Sequence, residues 1–332
     1  MKNGSNYGRT SLWLLEKSTY NHDMHPDYSS NQSMNTTISR YKIKTLIRVV
    51  CLVVCILFPS TAFADEKVLT FFGWSDQHVK ADGDGTHLIG AIDAMNKLPG
   101  RAYPANITGQ VDEPNFVMGL GDITEWPSGA ARDTYERLIT KRLRFRSYDV
   151  AGNHDSGGLS PSPAIHDWLI KRHGALSYTF DKKGVHFVAL YSKYDESLNN
   201  PAQPIAQDAL EYLRKDLAKV PAGTPVVVAT HLCFDAITNR DEFIDAFGDA
   251  NVILVLGGHY HKATVTRYKG VNFVQLPSPA PDSAGEVTVI RIDSDRLVAV
   301  PFDYEKGQWC DDPKKILDAK IKGPHKSAQP HQ

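Results

Sequence analysis

Short apolar runs, each followed closely by a polar residue able to bind a metal ion, recur five times along this chain. Each run is rich in strand-forming residues, which predicts a β-strand. The runs and the polar residues that follow them are 68–72 before Asp76, 116–120 before Asp122, 148–151 before Asn153, 225–229 before His231, and 252–256 before His259. Functional groups of α/β folds lie in the loops at the carboxyl ends of strands. The pattern therefore predicts that these polar residues share one edge of a sheet.

Helical patterns separate the predicted strands. In the clearest one, Ala206, Leu210, Leu213 and Leu217 recur at helical spacing and form one apolar face. Further helices are predicted over 87–97, 130–142, 163–173 and 239–247. Alternation of strands with helices implies crossover connections and a largely parallel central sheet.

The pattern changes to strands alone after His261. Four strands are predicted, at 264–268, 271–276, 286–292 and 297–302. Turn-forming residues separate the first two strands and the last two. We expect these strands to form a meander that closes a second sheet.

Length and composition indicate a globular protein with one large domain, at residues 65–310. The chain has 332 residues, of which 42% are hydrophobic and 23% charged. Residues 1–64 hold seven Lys/Arg against three Asp/Glu, which leaves 30 against 35 in the remainder. That balance argues against binding of duplex nucleic acid or anionic lipid. Residues 311–332 contain few apolar side chains and predict a loosely attached tail.

The amino-terminal segment resembles a signal peptide. A basic stretch at 40–48 precedes an apolar stretch at 49–58, and an Ala-x-Ala site ends at Ala64. A membrane-spanning helix needs about 20 apolar residues, so cleavage is favoured over a stable membrane anchor. The prediction is a periplasmic or secreted protein that starts at Asp65. The polar residues upstream indicate an overextended start, with Met34 as a plausible initiator.

Two cysteines, Cys233 and Cys310, remain after cleavage of the leader. Two cysteines do not make a disulfide framework. Export would allow them to pair, but Cys233 is predicted to be a buried packing residue. No feature of the sequence predicts the oligomeric state.

The polar residues at the strand ends form motifs that suit metal binding. The motifs are Asp76-x-His78, Gly-Asp122, Gly-Asn153-His154, His231 and Gly-His259-x-His261. In an x-separated pair both side chains point the same way, because side-chain direction alternates along an extended chain. Mixed oxygen and nitrogen ligands suit Mn, Fe or Zn better than Mg or Ca.

In this order the motifs resemble those of the calcineurin-like metallophosphoesterase family, over residues 68–262. The resemblance implies an α/β fold, a four-layer α/β/β/α sandwich of two mixed sheets flanked by helices, with a two-metal site at the strand carboxyl ends. It also implies two divalent or mixed-valence ions. The implied ligands are Asp76, His78 and His261 for the first ion, Asn153, His231 and His259 for the second, and Asp122 as the bridge.

The resemblance implies hydrolysis of a small phosphate ester or nucleotide by a metal-bridging hydroxide. His154 adjoins the ligand Asn153 without being a ligand in the family pattern, so it is the candidate that assists the leaving group. Glu125 is predicted to orient His154 through its carboxylate. At the position of Glu125 the purple acid phosphatases have an iron-binding tyrosine, so their colour is not expected here.

Two alternatives stay open at this stage. The first is a phosphodiesterase that acts on cyclic nucleotides or other diesters, because the motifs are the same. The second is a non-catalytic metal-binding or interaction module on the same fold. Trp74, Trp126 and Tyr260 adjoin ligands and are predicted either to line the pocket or to pack. The remaining histidines are predicted to lie on the surface or in the core.

Overall fold

Thirteen β-strands in the described part of the chain form two mixed sheets. The computed structural model describes residues 68–198, 200–281 and 283–321. In chain order the strands are β1 Leu69–Trp74, β2 Val117–Leu120, β3 Ser147–Val150, β4 Tyr178–Lys182, β5 Val185–Ala189, β6 Pro225–Ala229, β7 Asn251–Gly257, β8 Thr264–Tyr268, β9 Val271–Gln275, β10 Glu286–Ile292, β11 Arg296–Asp303, β12 Gln308–Trp309 and β13 Leu317–Lys320. The helices are α1 Leu88–Lys97, α2 Gly129–Arg137, α3 Ala164–His173, α4 Gln207–Leu217 and α5 Arg240–Asp245.

The first sheet has the strand order β12-β11-β10-β1-β2-β3, and β13 also pairs with β11. In it, β1, β2 and β3 run parallel, while β10 to β13 pair antiparallel. The second sheet has the order β4-β5-β6-β7-β9-β8, with β5, β6, β7 and β9 parallel and the outer two strands antiparallel. Both sheets are therefore mixed.

The side chains of β1 alternate between two apolar layers. Phe71 faces the second sheet, where its ring centroid lies 5.5 Å from that of Phe187 on β5. Phe72 faces the other way and belongs to a core that includes Ile92 of α1. A third core covers the outer face of the second sheet and includes Leu210 of α4. Helices therefore cover both outer faces, and the predicted four-layer sandwich of two sheets flanked by helices is confirmed. Burying one such side chain contributes about 1.5–3 kcal/mol.

The five predicted helices are present, but the helix predicted over 130–142 is α-helical only in its first part. It begins after Ser128, whose Oγ accepts a hydrogen bond from the amide of Ala131 at 3.0 Å. The α-helical part ends at Arg137, and residues Leu138–Arg142 continue as a wider π-helical turn.

Three features of the predicted sheet arrangement were wrong. Strands β4 and β5 were not predicted. The four strands after His261 do not form one meander, because β8 and β9 join the second sheet whereas β10 and β11 join the first. In particular, β10 pairs antiparallel with β1 at the centre of the first sheet. The five strands that precede the polar residues are also divided between the sheets.

Part of the predicted tail is ordered. Residues Leu317–Lys320 form β13, which pairs with β11 through four residue pairs. The carboxylate of Asp318 accepts two hydrogen bonds from the guanidinium of Arg296, at 2.8 and 2.7 Å. The expectation of a loose tail from residue 311 is therefore wrong as far as residue 321.

The predicted leader and signal peptide lie outside the described residues. Within the described ranges, no helix combines the length and the apolar composition that crossing a bilayer requires. Cys233 is buried, as expected, and both it and Cys310 are free thiols.

Candidate metal centre

The predicted ligands lie at the carboxyl ends of strands from both sheets. Asp76 and His78 follow β1, Asp122 follows β2, and Asn153 lies just after β3, all in the first sheet. His231 follows β6, and His259 and His261 follow β7, both in the second sheet. The prediction that these residues follow the carboxyl ends of strands is thus correct. The strands belong to two facing sheets, however, and not to one.

One group of ligand atoms contains Asp76, His78 and His261, whose candidate donor atoms lie within 4.8 Å of one another. Nε2 of His78 lies 3.1 Å from Nε2 of His261, and the latter lies 3.5 Å from Oδ1 of Asp76. Two nitrogens bound to one tetrahedral ion at about 2.1 Å would be roughly 3.4 Å apart. The spacing in this group therefore suits two ligands of one cation.

A second group contains Asp122, His231 and His259. Nε2 of His231 lies 3.2 Å from Nδ1 of His259 and 3.3 Å from Oδ2 of Asp122. The other ring nitrogen of His231, Nδ1, contacts the carbonyl oxygen of Leu120 at 2.5 Å. A carbonyl only accepts, so Nδ1 carries the proton and Nε2 faces the ligand group.

Asp122 lies between the two groups. Its Oδ2 is 3.3 Å from Nε2 of His231 and 3.9 Å from Nε2 of His78. Its Oδ1 accepts a hydrogen bond from the amide of His154 at 2.9 Å. One carboxylate oxygen thus approaches a histidine from each group, which is the arrangement that a bridging ligand needs.

Asn153 adds an independent sign that the site is built for a cation. Its Oδ1 is buried and has no hydrogen-bond partner among the described residues. An unpaired buried amide oxygen costs free energy, unless a ligand completes its coordination. The oxygen and nitrogen donors present therefore fit metal binding.

Five of the seven predicted ligands have a left-handed backbone. The φ angles are 54° for Asp76, 46° for His78, 51° for Asp122, 76° for His259 and 59° for His261. Positive φ is uncommon for residues other than glycine, and each such residue costs of order 1–3 kcal/mol. The rest of the fold holds these side chains in sharp turns that strain the backbone.

Two glycines of the motifs allow the loops to pack closely. A Cβ on Gly152 would lie 2.2 Å from Oδ1 of Asp122, and a Cβ on Gly258 would lie 1.7 Å from Oγ of Ser75. Neither position has room for a side chain. The glycines are therefore needed because loops from different strands approach each other there.

The pKa values of three histidines favour the neutral imidazole that binds metal. Burial lowers the pKa of His78 and of His259 to about 4. Burial also lowers the pKa of His261. These rings are uncharged at neutral pH, so each keeps a lone pair for a cation.

His231 behaves differently because it is paired with a carboxylate. Burial alone would lower its pKa, but the negative charge of Asp122 and the contact with it raise the pKa of His231 to about 9. The same pairing outweighs burial at Asp122 and lowers the pKa of that carboxyl. Burial raises the pKa of Asp76 to about 7. The proton on His231 balances charge in the metal-free protein, and a bound cation would replace it.

His154 lies beside the ligand groups and is partly exposed. Its Nε2 is 4.0 Å from Oδ2 of Asp122, and its Nδ1 contacts the backbone carbonyl of Glu125 at 2.7 Å. Glu125 therefore contacts His154 through its main-chain carbonyl. The predicted contact through its carboxylate is not the one observed, and the Glu125 side chain is exposed. The carbonyl fixes the proton on Nδ1 and leaves Nε2 facing the site.

Asp155 was missed in the sequence although it directly follows the motif histidine. It is buried, and its carboxylate accepts hydrogen bonds from the amides of Ile123, Thr124 and Gly152 at 3.1, 3.0 and 2.9 Å. Burial raises its pKa to about 6, and the charge of Asp122 adds to the shift. The carboxylate of Asp155 thus joins the loop of Asp122 to the loop of Asn153. In the sequence, its position directly after His154 is the feature that could have identified it.

The three aromatic residues next to ligands have different places. Trp74 is buried and stacks on Tyr135 with ring centroids 6.2 Å apart, so it packs in the core. Trp126 is 51% exposed, and its ring lies 5.3 Å from that of His154. The ring of Tyr260 lies 4.9 Å from that of His259. Trp126 and Tyr260 therefore border the site, whereas Trp74 does not.

A cavity of about 300 Å³ opens beside the ligand groups. Its lining includes Asn153, His154 and His259, together with Tyr194 and Pro201 of the loop that follows β5. Nε2 of His259 contacts the carbonyl oxygen of Pro201 at 2.9 Å. The cavity thus brings candidate metal ligands and the residue next to them into contact with one open volume.

Comparison with family models and with curated proteins gives no match. Solved structures do match in fold. GAP50, the anchor in the inner membrane complex of Plasmodium, has a TM-score of 0.51 and 14% identity over 78% of this chain and 90% of its own. A putative 5′-nucleotidase from Staphylococcus aureus has a TM-score of 0.42 and 13% identity over 77% of this chain and 54% of its own.

A predicted phosphoesterase from Streptococcus pneumoniae has a TM-score of 0.37 and 12% identity, over 76% of this chain and 98% of its own. At such identities a likeness shows the fold alone. The likeness to GAP50 supports the two-sheet architecture, and the chemistry has to be argued from the residues of this chain.

Proposed function

We propose that this protein is an exported, two-metal hydrolase that cleaves phosphate esters. The observation that carries the proposal is the position of the Asp122 carboxylate, shared between two groups of Asp and His donors. Export rests on the amino-terminal pattern alone, and sequencing of the mature terminus, expected at Asp65, tests it.

Seven residues would hold the metal ions. They are Asp76, His78 and His261 for one ion, Asn153, His231 and His259 for the other, and Asp122 for both. When bound, a cation pair would acidify a water molecule and stabilise the charge on the phosphoryl oxygens. No protein nucleophile is then required.

His154 is the proposed general acid. Because Nδ1 donates to the carbonyl of Glu125, Nε2 is the nitrogen that faces the site. An imidazolium at this position carries a proton on Nε2 and gives it to the leaving oxygen. The amide of His154 also donates to Oδ1 of Asp122, so the acid and the bridging carboxylate are held together.

Two other activities are compatible with the same residues. A diesterase would use the same metal ligands, and a non-catalytic module would bind metal without turnover. The purified protein should hydrolyse p-nitrophenyl phosphate or its bis-ester with added Mn²⁺, and chelation should stop the reaction. Preference for the bis-ester would identify a diesterase. Metal binding without turnover of either ester would contradict the proposed hydrolase.

The rim of the site supports a proposal about the leaving group. Four large hydrophobic side chains of the described residues are prominently exposed. Three of them lie near the cavity along the chain: Trp126 contacts His154, Leu159 follows Gly158, and Leu198 lies two residues after the lining residue Glu196. An added Cβ at Gly158 would lie 3.5 Å from Cζ3 of Trp126 and 3.7 Å from Oε2 of Glu196, so these loops meet there. Because Trp126 also contacts His154, this rim lies on the leaving-group side. We propose that the leaving alcohol has an apolar part.

Variants of the exposed rim residues should lose activity selectively, toward substrates with an apolar leaving group. Leu159→Ser combined with Trp126→Ala should lower kcat/KM for a long-chain alkyl phosphate roughly tenfold or more, the scale of a few buried methylene groups. Activity on glycerol phosphate should change little. Ile170→Ser, which alters the fourth exposed side chain on α3, is the matched control. Equal losses on both substrates would show that the rim does not select an apolar leaving group.

A further inference from the structure

Tyr194 has a buried hydroxyl that the described residues leave without a partner. The residue is 8% exposed, and its hydroxyl makes no hydrogen bond within the described chain. An unpaired buried hydroxyl costs free energy comparable to a lost hydrogen bond. A ligand bound within reach of this hydroxyl would complete its bonding.

Tyr194 lies where a substrate would bind. It lines the cavity of about 300 Å³ together with Asn153, His154 and His259. Its ring is nearly perpendicular to that of His231, with centroids 6.0 Å apart. The residue therefore borders the same cavity as three residues of the ligand loops and also contacts the ring of the candidate ligand His231.

The loop that carries Tyr194 is held in place by Gln203. The side-chain oxygen of Gln203 accepts from the amide of Asp195 at 2.8 Å, and its side-chain nitrogen donates to the carbonyl of Asp195 at 3.0 Å. The backbone amide of Gln203 donates to the carbonyl of Ala236. The position of Tyr194 is thus fixed before any ligand binds, as a binding residue requires.

A tyrosine hydroxyl carries one proton and can donate one hydrogen bond. Tyr194 therefore offers a neutral hydrogen-bond donor and does not supply a negative charge. Phosphoryl oxygens accept such bonds strongly.

We propose that the hydroxyl of Tyr194 donates a hydrogen bond to a phosphoryl oxygen of the bound substrate, and so is a substrate-binding residue of the site. This inference rests on the proposed function. It assigns a role to a residue that belongs to none of the metal-ligand motifs. The proton stays on Tyr194 throughout the reaction.

The test is Tyr194→Phe, which removes only the hydroxyl. Because that hydroxyl is buried and unpaired, its loss should leave the melting temperature unchanged or raise it. Inorganic phosphate, measured by calorimetry against the Mn²⁺-loaded protein, should bind roughly 10- to 100-fold more weakly, the scale of one hydrogen bond to a charged acceptor. Metal content should stay as in the wild type.

Tyr191→Phe is the matched control. Tyr191 lies in the same loop, is partly buried, packs its ring 5.1 Å from that of His166, and is not among the residues that line the cavity. Its variant should bind phosphate like the wild type.

Three results would overturn the inference: unchanged phosphate affinity in Tyr194→Phe, loss of metal from that variant, or a clear drop in its melting temperature. Unchanged affinity would show that Tyr194 makes no bond to phosphate. Loss of metal would make Tyr194 a metal ligand, and a lower melting temperature would make it a structural residue. If the wild-type protein hydrolyses esters and Tyr194→Phe binds phosphate as tightly as the wild type, this inference is wrong and the proposed function still stands. A wild-type protein that binds phosphate only without metal, or not at all, contradicts the proposed function as well.

Discussion

Replacing Asp122 by asparagine should remove most of the bound metal and nearly all of the activity. Oδ2 of Asp122 lies 3.3 Å from the ring of His231 and 3.9 Å from that of His78, so one charge serves both ligand groups. An amide has no charge to offset the repulsion between two neighbouring cations. Loss of an outer partner of a metal ligand costs 10- to 100-fold in affinity or activity, so loss of the shared ligand should cost roughly a thousandfold or more.

The measurement is metal content per chain together with turnover of p-nitrophenyl phosphate in Mn²⁺. Asp149→Asn is the control, because Asp149 is a buried carboxylate of β3 that lies outside the ligand groups. Its Oδ1 accepts from Tyr135 and Ser147, and its Oδ2 lies 3.6 Å from Nε of Arg172 and 3.8 Å from Nε2 of His173. Asp149→Asn therefore also removes a buried negative charge beside basic groups, but at a place away from the ligand groups. An Asp122→Asn protein that keeps two metals per chain and full turnover would refute the bridging assignment.

The positions of the strands that carry the ligands could be predicted because local patterns determine them. Both faces of β1, β2, β6 and β7 are buried, so each appears as a largely apolar run that ends where the ligand loop begins. Strand β3 is the exception, because it contains Ser147 and Asp149. Strand β4 gave no such signal, because Tyr178–Lys182 is only partly buried and ends in charged residues. In β5 the polar His186 interrupts the run, and its ring is held between Asp181 and Asp216 at 2.7 and 2.9 Å.

The partners of the strands could not be predicted, because pairing depends on contacts far apart in sequence. Strand β10 pairs with β1 although more than two hundred residues separate them. Nothing in the alternation of Glu286–Ile292 distinguishes that arrangement from a local meander. Sequence pattern fixes which face of a strand is buried, whereas the whole core decides which sheet it joins.

In the site, residue types were predictable and backbone roles were not. The histidines and carboxylates of the motifs do come together, but their left-handed φ angles have no signature in residues other than glycine. The contact of His154 with Glu125 uses a carbonyl, which every residue has. Tyr194 belongs to no motif, and only its unpaired hydroxyl marks it.

His154→Asn should slow turnover by roughly a hundredfold or more while leaving metal content nearly unchanged. His154 is oriented by the carbonyl of Glu125 and lies 4.0 Å from Asp122. Its ring also lies close enough to His78 and Asp122 to form a third group of candidate donor atoms, so metal content decides whether it is a ligand or a general acid. The loss should depend on the leaving group. A poor alkoxide needs the proton, whereas p-nitrophenolate leaves almost unaided, so alkyl phosphates should lose far more than nitrophenyl phosphates.

Glu125→Gln separates the main-chain contact from the side chain. Since the bond to Nδ1 of His154 comes from the carbonyl, this variant should keep near wild-type rates on both substrates. His166→Asn controls for loss of an imidazole elsewhere, because its ring packs on Tyr191 and not on the ligand groups. Rates on an alkyl and a nitrophenyl phosphate, measured beside metal content, decide the role. A general acid matters most where the leaving group is poor, so equal losses of rate on both esters would contradict that role for His154. Loss of metal from the His154→Asn protein would also contradict it. Either result would make His154 a structural residue.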